Sequence, residues 1–486
     1  MSIKRTSPLL APAALALAGC SAVHPPAPPI QPPTPPSGWE EAAAVEGTAT
    51  AMDVDSEKGW WGGFADPALD RVVRAALTDN HDLAAAAARV DAALAQARIA
   101  GADLRPGVGV SLDGARRRQN FIGLPIPGSE GGVLSSTSTN LGVGLNVSWE
   151  ADLWGRLRAA SSAGEARAAA SSAELAAARL SLSGQAAKAW FGVLEAERQL
   201  GLARETLASR SRTAGQIRSR YERGLRGALD LRLALSNEAA ATATVASRER
   251  QLDATRRQLQ VLLGRYPSNE IEPEASPRRL PELPPPPPAG LPAELLQRRP
   301  DLVAAEQRLA AVGFEVRAAR AAIYPSLRLT GSGGTASSEL EDLLDGDFSV
   351  WSLAAGLLQP VFQGGRLRAG VDLAEARQRE AAHGYAQQVL VAFAEVERSL
   401  AAAVHLDGVY HALAESAAQA AAAEELAEER YLAGLNDYLN VLEAQRQSFL
   451  AKSQLLDVER QRLVNRVDLH LALGGTDRPS TTQASL

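Results

Sequence analysis

The 486-residue chain has a single cysteine, Cys20, so no disulfide can form within it. After the N-terminus no run of about 18 consecutive apolar residues occurs, which excludes a transmembrane helix; any membrane crossing must be made by strands. Basic residues form no stripe and the formal net charge is -6, so nucleic acid is not an expected partner. The six histidines, His24, His81, His383, His405, His411 and His470, show no metal-binding spacing. There is no P-loop, no GxSxG and no HExxH. Neither a catalytic residue nor a metal or cofactor site is expected. Proline is missing from 128–266 and again from 361–478. Two very long uninterrupted helical stretches are therefore possible.

What is present begins with an export signal. Lys4 and Arg5 precede a short apolar run from Pro8 to Ala18, too short to span a bilayer as a helix. It ends in Leu17-Ala18-Gly19-Cys20, which resembles the bacterial lipobox. Residues 1–19 read as a signal peptide and Cys20 as the lipidation site, with Ser21 behind it resembling the signal for sorting to the outer membrane. A single acyl anchor adds membrane affinity and says nothing about mechanism. Proline dominates 24–37, so 20–59 reads as an extended tether. A second proline-rich stretch, Pro267 to Pro292, makes 266–293 a semi-rigid linker.

The two parts flanking that linker repeat each other. Gly155-Arg156-Leu157-Arg158-Ala159 recurs 210 residues later as Gly365-Arg366-Leu367-Arg368-Ala369. Tyr221, Gly224, Leu225, Leu229 and Ala234 match Tyr431, Gly434, Leu435, Leu439 and Ala444 at the same offset. Upstream the offset is 219, as in Asp82-Leu83 against Asp301-Leu302 and Pro106 against Pro325. The extra residues of the first copy fall in a Gly/Ser-rich stretch around Gly128 to Ser138, read as a long loop. This defines a first repeat over 60–265, a second over 294–475 and a tail over 476–486.

Each repeat reads as a helix (Asp82 to Arg105; Asp301 to Tyr324), two strands, then a long helical hairpin. Those hairpins are rich in Ala, Leu, Glu, Gln and Arg, all good helix formers. Leu153 to Glu222 alone is 70 residues, roughly 105 Å of straight helix. The strands show alternation. Leu141, Val143, Leu145, Val147 and Trp149 alternate with small or polar residues, as do Val108, Val110 and Leu112, then Leu327 and Leu329, and more weakly Trp351, Leu353, Ala355 and Leu357. That pattern suits tilted membrane strands of about ten residues, with Trp149, Trp351 and Phe348 as interfacial aromatics. Four strands of a small soluble sheet would show the same alternation. Four strands cannot close a barrel, so membrane strands imply an oligomer. The fold class is mainly α, with a long coiled-coil tunnel and four transmembrane strands per chain.

Several segments resemble the TolC family of outer-membrane factors, in particular its NodT-type efflux lipoproteins. They are Trp60-Trp61-Gly62-Gly63-Phe64-Ala65-Asp66-Pro67-Ala68-Leu69, Trp149-Glu150-Ala151-Asp152-Leu153-Trp154-Gly155-Arg156, Leu296-Gln297-Arg298-Arg299-Pro300-Asp301-Leu302, Pro360-Val361-Phe362-Gln363-Gly364-Gly365-Arg366 and Ala472-Leu473-Gly474-Gly475. The resemblance covers nearly the whole mature chain. It implies a homotrimer with a twelve-stranded barrel, a periplasmic helical tunnel and an equatorial domain that includes the proline-rich linker. Its implied partners are a periplasmic adaptor (a membrane fusion protein) and an inner-membrane transporter of the RND type. It further implies adaptor-docking tips at Gly224-Leu225 and Gly434-Leu435, and a tunnel gate at Leu439 and Glu443, with Asn440 where some members carry Asp. The closed-state latch would be Tyr431 with Asp230, and Asn436 replaces a basic residue of some members. Two other readings stay open: the outlet of a type I protein secretion system, and a non-conducting coiled-coil envelope lipoprotein.

Overall fold

The computed structural model describes residues 33–40, 59–121, 134–268 and 279–475. Cys20, the signal peptide and the C-terminal tail lie outside them. The described chain divides into two compact units. One holds 101–162 with 313–371, the other 33–100, 163–312 and 372–475.

The element order is itself a duplication. The first copy runs α1 (Pro67–Asp79), α2 (His81–Ala102), β1 (Gly107–Phe121), β2 (Leu134–Ala151), α3 (Arg156–Glu222) and α4 (Ala228–Leu262). The second runs α5 (Pro292–Arg298), α6 (Pro300–Ala321), β3 (Ser326–Ser337), β4 (Ser349–Leu358), α7 (Arg366–Leu432) and α8 (Tyr438–Ala472). Both α3 and α7 have 67 residues, both α4 and α8 have 35, and both α2 and α6 have 22. The fold is mainly helical.

In the first unit the four strands form one antiparallel sheet in the order β1-β2-β3-β4. Val110 pairs with Leu145, Leu145 with Gly333 and Gly333 with Trp351. Alternation then puts Val108, Val110, Leu112, Leu145, Trp351, Leu353 and Leu357 on one face, and all of them are exposed. Gly109, Ser111, Asn146, Ser148, Thr330 and Ser332 line the other face. The first two strands are longer than the ten residues expected, at 15 and 18. Part of the stretch read as loop, Ser135 to Ser138, is strand, because its hydroxyl side chains pair across from Asn120 to Arg117. Among the described residues the outer edges of β1 and β4 have no strand beside them.

The second unit has a core around Trp60, Phe64, Trp190, Phe191 and Leu194. Here the Trp60 to Leu69 segment finds its physical reason. Asp66 caps α1 by accepting from the Ala68 N–H at 2.8 Å and also accepts from Trp190 Nε1 at 2.8 Å. Trp60 Nε1 donates to Ser183 Oγ at 3.0 Å, and its ring stacks on His470 at 5.4 Å. Within the stretch read as tether, Trp39 is buried against Phe393 and donates to the Gly290 carbonyl at 3.0 Å. An indole at this position has an apolar cluster to enter, so the chain docks there.

The hairpin ends that return to α1 and α5 use one device twice. At the end of α4, Asn80 Nδ2 donates to the Leu262 carbonyl at 2.9 Å. At the end of α8 the repeat-equivalent Arg299 donates to the Ala472 carbonyl at 3.3 Å. Arg299 also forms a bidentate pair with Asp301 (3.0 and 2.8 Å) and meets Glu395 at 2.6 Å. Burial works against both charges, but these bonds hold the Asp301 carboxyl below its ordinary range and the Arg299 guanidinium above its own. The Arg299-Pro300-Asp301 motif is thus a buried clamp across three helices. Gly264 has φ +69, and a Cβ there would stand 2.2 Å from the Asp79 carbonyl oxygen. Gly224 has φ +72 with open space around it.

Two predictions follow from these contacts. Gly224→Ala should cost about 1 kcal/mol for the left-handed backbone alone, whereas Gly264→Ala should lower the thermal midpoint clearly further, since it adds a backbone clash. Second, burial, then the Arg466 charge, pushes the His470 pKa from 6.5 down to about 4. The unfolded chain takes up this proton first, so the contribution is complete above pH 6.5 and is lost as pH falls from 6.5 to 4. The loss amounts to about 3 kcal/mol. Denaturant titrations across this window should show a flatter profile for His470→Gln.

Candidate functional site

The sharp ends of the two hairpins carry most of the residues singled out from the sequence. Helix α3 ends in a Schellman motif: the Gly224 N–H reaches the Tyr221 carbonyl at 2.8 Å and the Leu225 N–H the Arg220 carbonyl at 2.9 Å. The end of α7 repeats it, with Gly434 to Tyr431 at 3.0 Å and Leu435 to Arg430 at 2.8 Å. The positive φ of Gly434, 78°, completes the turn. Each tip then presents two exposed leucines at equivalent places, Leu225 with Leu229 and Leu435 with Leu439.

The two tips differ in charge. Around the first stand Arg218, Arg220, Arg223 and Arg226; around the second, Glu424, Glu425, Glu428 and Glu429. Arg220 donates to the Leu432 carbonyl at 3.0 Å, and the Arg226 guanidinium lies 4.7 Å from the centre of the Tyr431 ring. A groove between the tips is lined by Arg212, Arg220, Arg223, Arg226, Leu225 and Leu432.

Leu439, Asn440 and Glu443 share the exposed face of α8, one turn apart. Glu443 is not a lone carboxylate. Arg446 donates to it at 2.6 and 3.0 Å and Gln447 at 2.9 Å. The Arg446 bond, reinforced by Gln447, lowers its pKa. The sequence reading missed Arg446, although its spacing of three from Glu443 was visible. The guanidinium one turn away therefore offsets the Glu443 charge on this face of α8.

The structure brings Tyr431 and Asp230 into one junction but does not bond them to each other. Tyr431 packs with Ile217, Ala234, Tyr438 and Val441, and its buried hydroxyl has no hydrogen-bond partner among the described residues. A buried polar tie between the hairpins runs through other residues of the junction. Asn237 Nδ2 on α4 donates to Gln445 Oε1 on α8 at 3.2 Å, and Gln445 Nε2 donates to Glu428 Oε1 on α7 at 2.7 Å. Burial, with an Asn237 hydrogen bond opposing it, leaves the neighbouring Tyr438 phenol pushed up to about 12. Gln445 is 2% exposed. The missed signal was a polar residue on the buried α8 stripe that also holds Tyr438, Val441 and Ser448. Among the described residues no cluster of His, Cys, Asp or Glu could hold a metal ion, and no helix is long and apolar enough to cross a membrane.

An exposed apolar sheet joined in sequence to two long helical hairpins marks a membrane-associated duct protein, and comparison with known proteins gives the family. The family model described as "Outer membrane efflux protein" matches residues 72–265 and 291–475. The pyoverdine export outer membrane protein OpmQ of Pseudomonas putida is 36% identical over 473 residues, 96% of each chain. Outer membrane protein OprJ of Pseudomonas aeruginosa is 37% identical over 465 residues, 95% of this chain and 94% of that one. A membrane protein crystal structure from Pseudomonas aeruginosa superposes with a TM-score of 0.81 at 34% identity, covering 93% of this chain and 96% of that one. This chain belongs to the outer membrane efflux protein family, a family of channels rather than enzymes. It is an outer-membrane protein of bacterial efflux.

The junction yields a double-mutant test. Asn237→Ala and Gln445→Leu should couple by about 1 kcal/mol in denaturant stability. Tyr431→Phe should be neutral, since it removes a hydroxyl that bonds nothing.

Proposed function

We propose that three copies of this chain share one twelve-stranded barrel, and that the long hairpins form a periplasmic tunnel leading to it. The observation that carries this is the four-stranded sheet with an exposed apolar face and two free edges. In hydrocarbon such edges would leave backbone donors and acceptors unsatisfied, which closure around a ring removes. The apolar rows fit the purpose. Leu141 to Ala151 of β2 is eleven residues, about 34 Å along the strand. At the usual barrel tilt that is ~25 Å of height, the apolar band of an outer-membrane barrel.

In this reading the duct is the outlet of a tripartite pump. A periplasmic adaptor docks on the leucines of the two tips, Leu225 and Leu435 beside Gly224 and Gly434. An inner-membrane transporter, of the RND type by family resemblance, supplies the driving energy, and Cys20 carries the acyl anchor. Leu439 and Glu443 narrow the tunnel mouth with Asn440 beside them, and the Arg446 partner keeps that ring from being strongly cation-attracting. Tyr431 and Asp230 belong to the closed-state latch by family resemblance, acting through packing and charge at the junction rather than through a direct bond. The relative OpmQ, a pyoverdine export protein, supports small-molecule efflux over protein secretion.

The test is efflux in cells lacking the native duct. Leu225→Asp with Leu435→Asp should abolish drug resistance while leaving the yield of heat-resistant trimers unchanged. Full resistance in that variant would remove the docking role of the tips.

A further inference from the structure

The two free edges of the sheet end in opposite charges at the same extremity. At the end of β1 distant from α2 stand Arg116, Arg117 and Arg118. Alternation puts Arg116 and Arg118 on the face of Val108, Val110 and Leu112, and Arg117 on the other. Register with β2 places them beside Thr139 and Thr137, and Arg118 donates to Ser135 Oγ at 3.1 Å. All three arginines are exposed. The connection from β3 to β4 carries Glu339, Glu341, Asp342, Asp345 and Asp347. Asp342 accepts from Ser337 Oγ at 3.1 Å, and Asp345 accepts from the Asp347 N–H at 3.1 Å. Asp345 and Asp347 are exposed, immediately before β4 begins at Ser349.

The heights match if neighbouring strands start level. From Gly107 to Arg116 is nine steps up β1, and from Leu358 to Ser349 is nine steps up β4. Arg116 of one copy would then stand level with the start of the next copy's β4, and Arg118 with the turn just above it. We infer that Arg116 and Arg118 of one copy clasp Asp345 and Asp347 of the adjacent copy, locking the outer rim of the trimer. This rests on the shared-barrel reading. The occupant of the arginine pair is a second copy rather than lipid phosphate, because the acidic turn at the same end would repel a phosphate layer.

Charge exchange tests it on the full-length trimer. Arg116→Asp with Arg118→Asp should raise the dissociated fraction in detergent about tenfold, as three exposed paired contacts would. Asp345→Arg with Asp347→Arg should do the same. Combining all four should restore trimer stability to within about twofold, and Arg117→Asp should leave it unchanged. If the reversed chains fail to fold, Arg116→Gln with Arg118→Gln is read against salt: wild-type trimers weaken between low and high salt and the neutral variant does not. Failure of the four-fold exchange to restore stability would overturn the clasp. So would a defect seen only in vesicles containing lipid A and absent in phosphatidylcholine, which would assign the arginines to lipid phosphate. Absence of any wild-type trimer is a separate result, against the shared barrel itself.

Discussion

A strand edge placed in hydrocarbon loses water and gains nothing in return. Each unpaired N–H or C=O then costs several kcal/mol. Among the described residues the sheet has two unpaired edges, β1 and β4, and an exposed apolar face of Val, Leu and Trp. In the reading developed above, closure among copies removes both penalties together. A chain that must share its barrel must also share what the barrel leads to. In that reading the helical hairpins gain a purpose, because hairpins from several copies can line one passage.

Duplication supplies matched parts, and the departures from it locate specialised jobs. The helix-end device is Asn80 in the first copy and Arg299 in the second. Only the arginine can also bind Asp301 and Glu395, which makes the second copy the stronger anchor. At the tips the backbone is the same to within hydrogen-bond geometry, yet one tip carries an excess of arginine and the other an excess of glutamate. The shape of the hairpin tips is therefore repeated within the molecule while their electrostatics are not. A partner approaching six alternating tips in a trimer would meet both signs of charge.

Much of this was legible in the sequence. The long proline-free stretches became α3, α4, α7 and α8 with equal lengths in the two copies, because good helix formers and a single glycine stop leave the chain few alternatives. Gly224 and Gly434 were legible as turns for the same reason. Period-two alternation showed the strands but understated β1 and β2, since Ser135, Ser136 and Ser138 give no apolar alternation and are held in strand by cross-strand pairing. Side-chain partnerships were the least legible. Tyr431 and Asp230 lie in one junction, but the buried side-chain bond between the hairpins there joins Asn237 and Gln445. Residue spacing shows which face a residue takes, not which neighbour across the interface its polar atoms reach. The motif Arg299-Pro300-Asp301 was visible as a family mark, and only the fold shows that it is a buried clamp.

The central claim is a shared conducting barrel, and planar-bilayer recording of purified protein tests it most directly. The account predicts heat-resistant trimers that insert and conduct in uniform discrete steps. An elongated, soluble species that leaves the bilayer silent would contradict it.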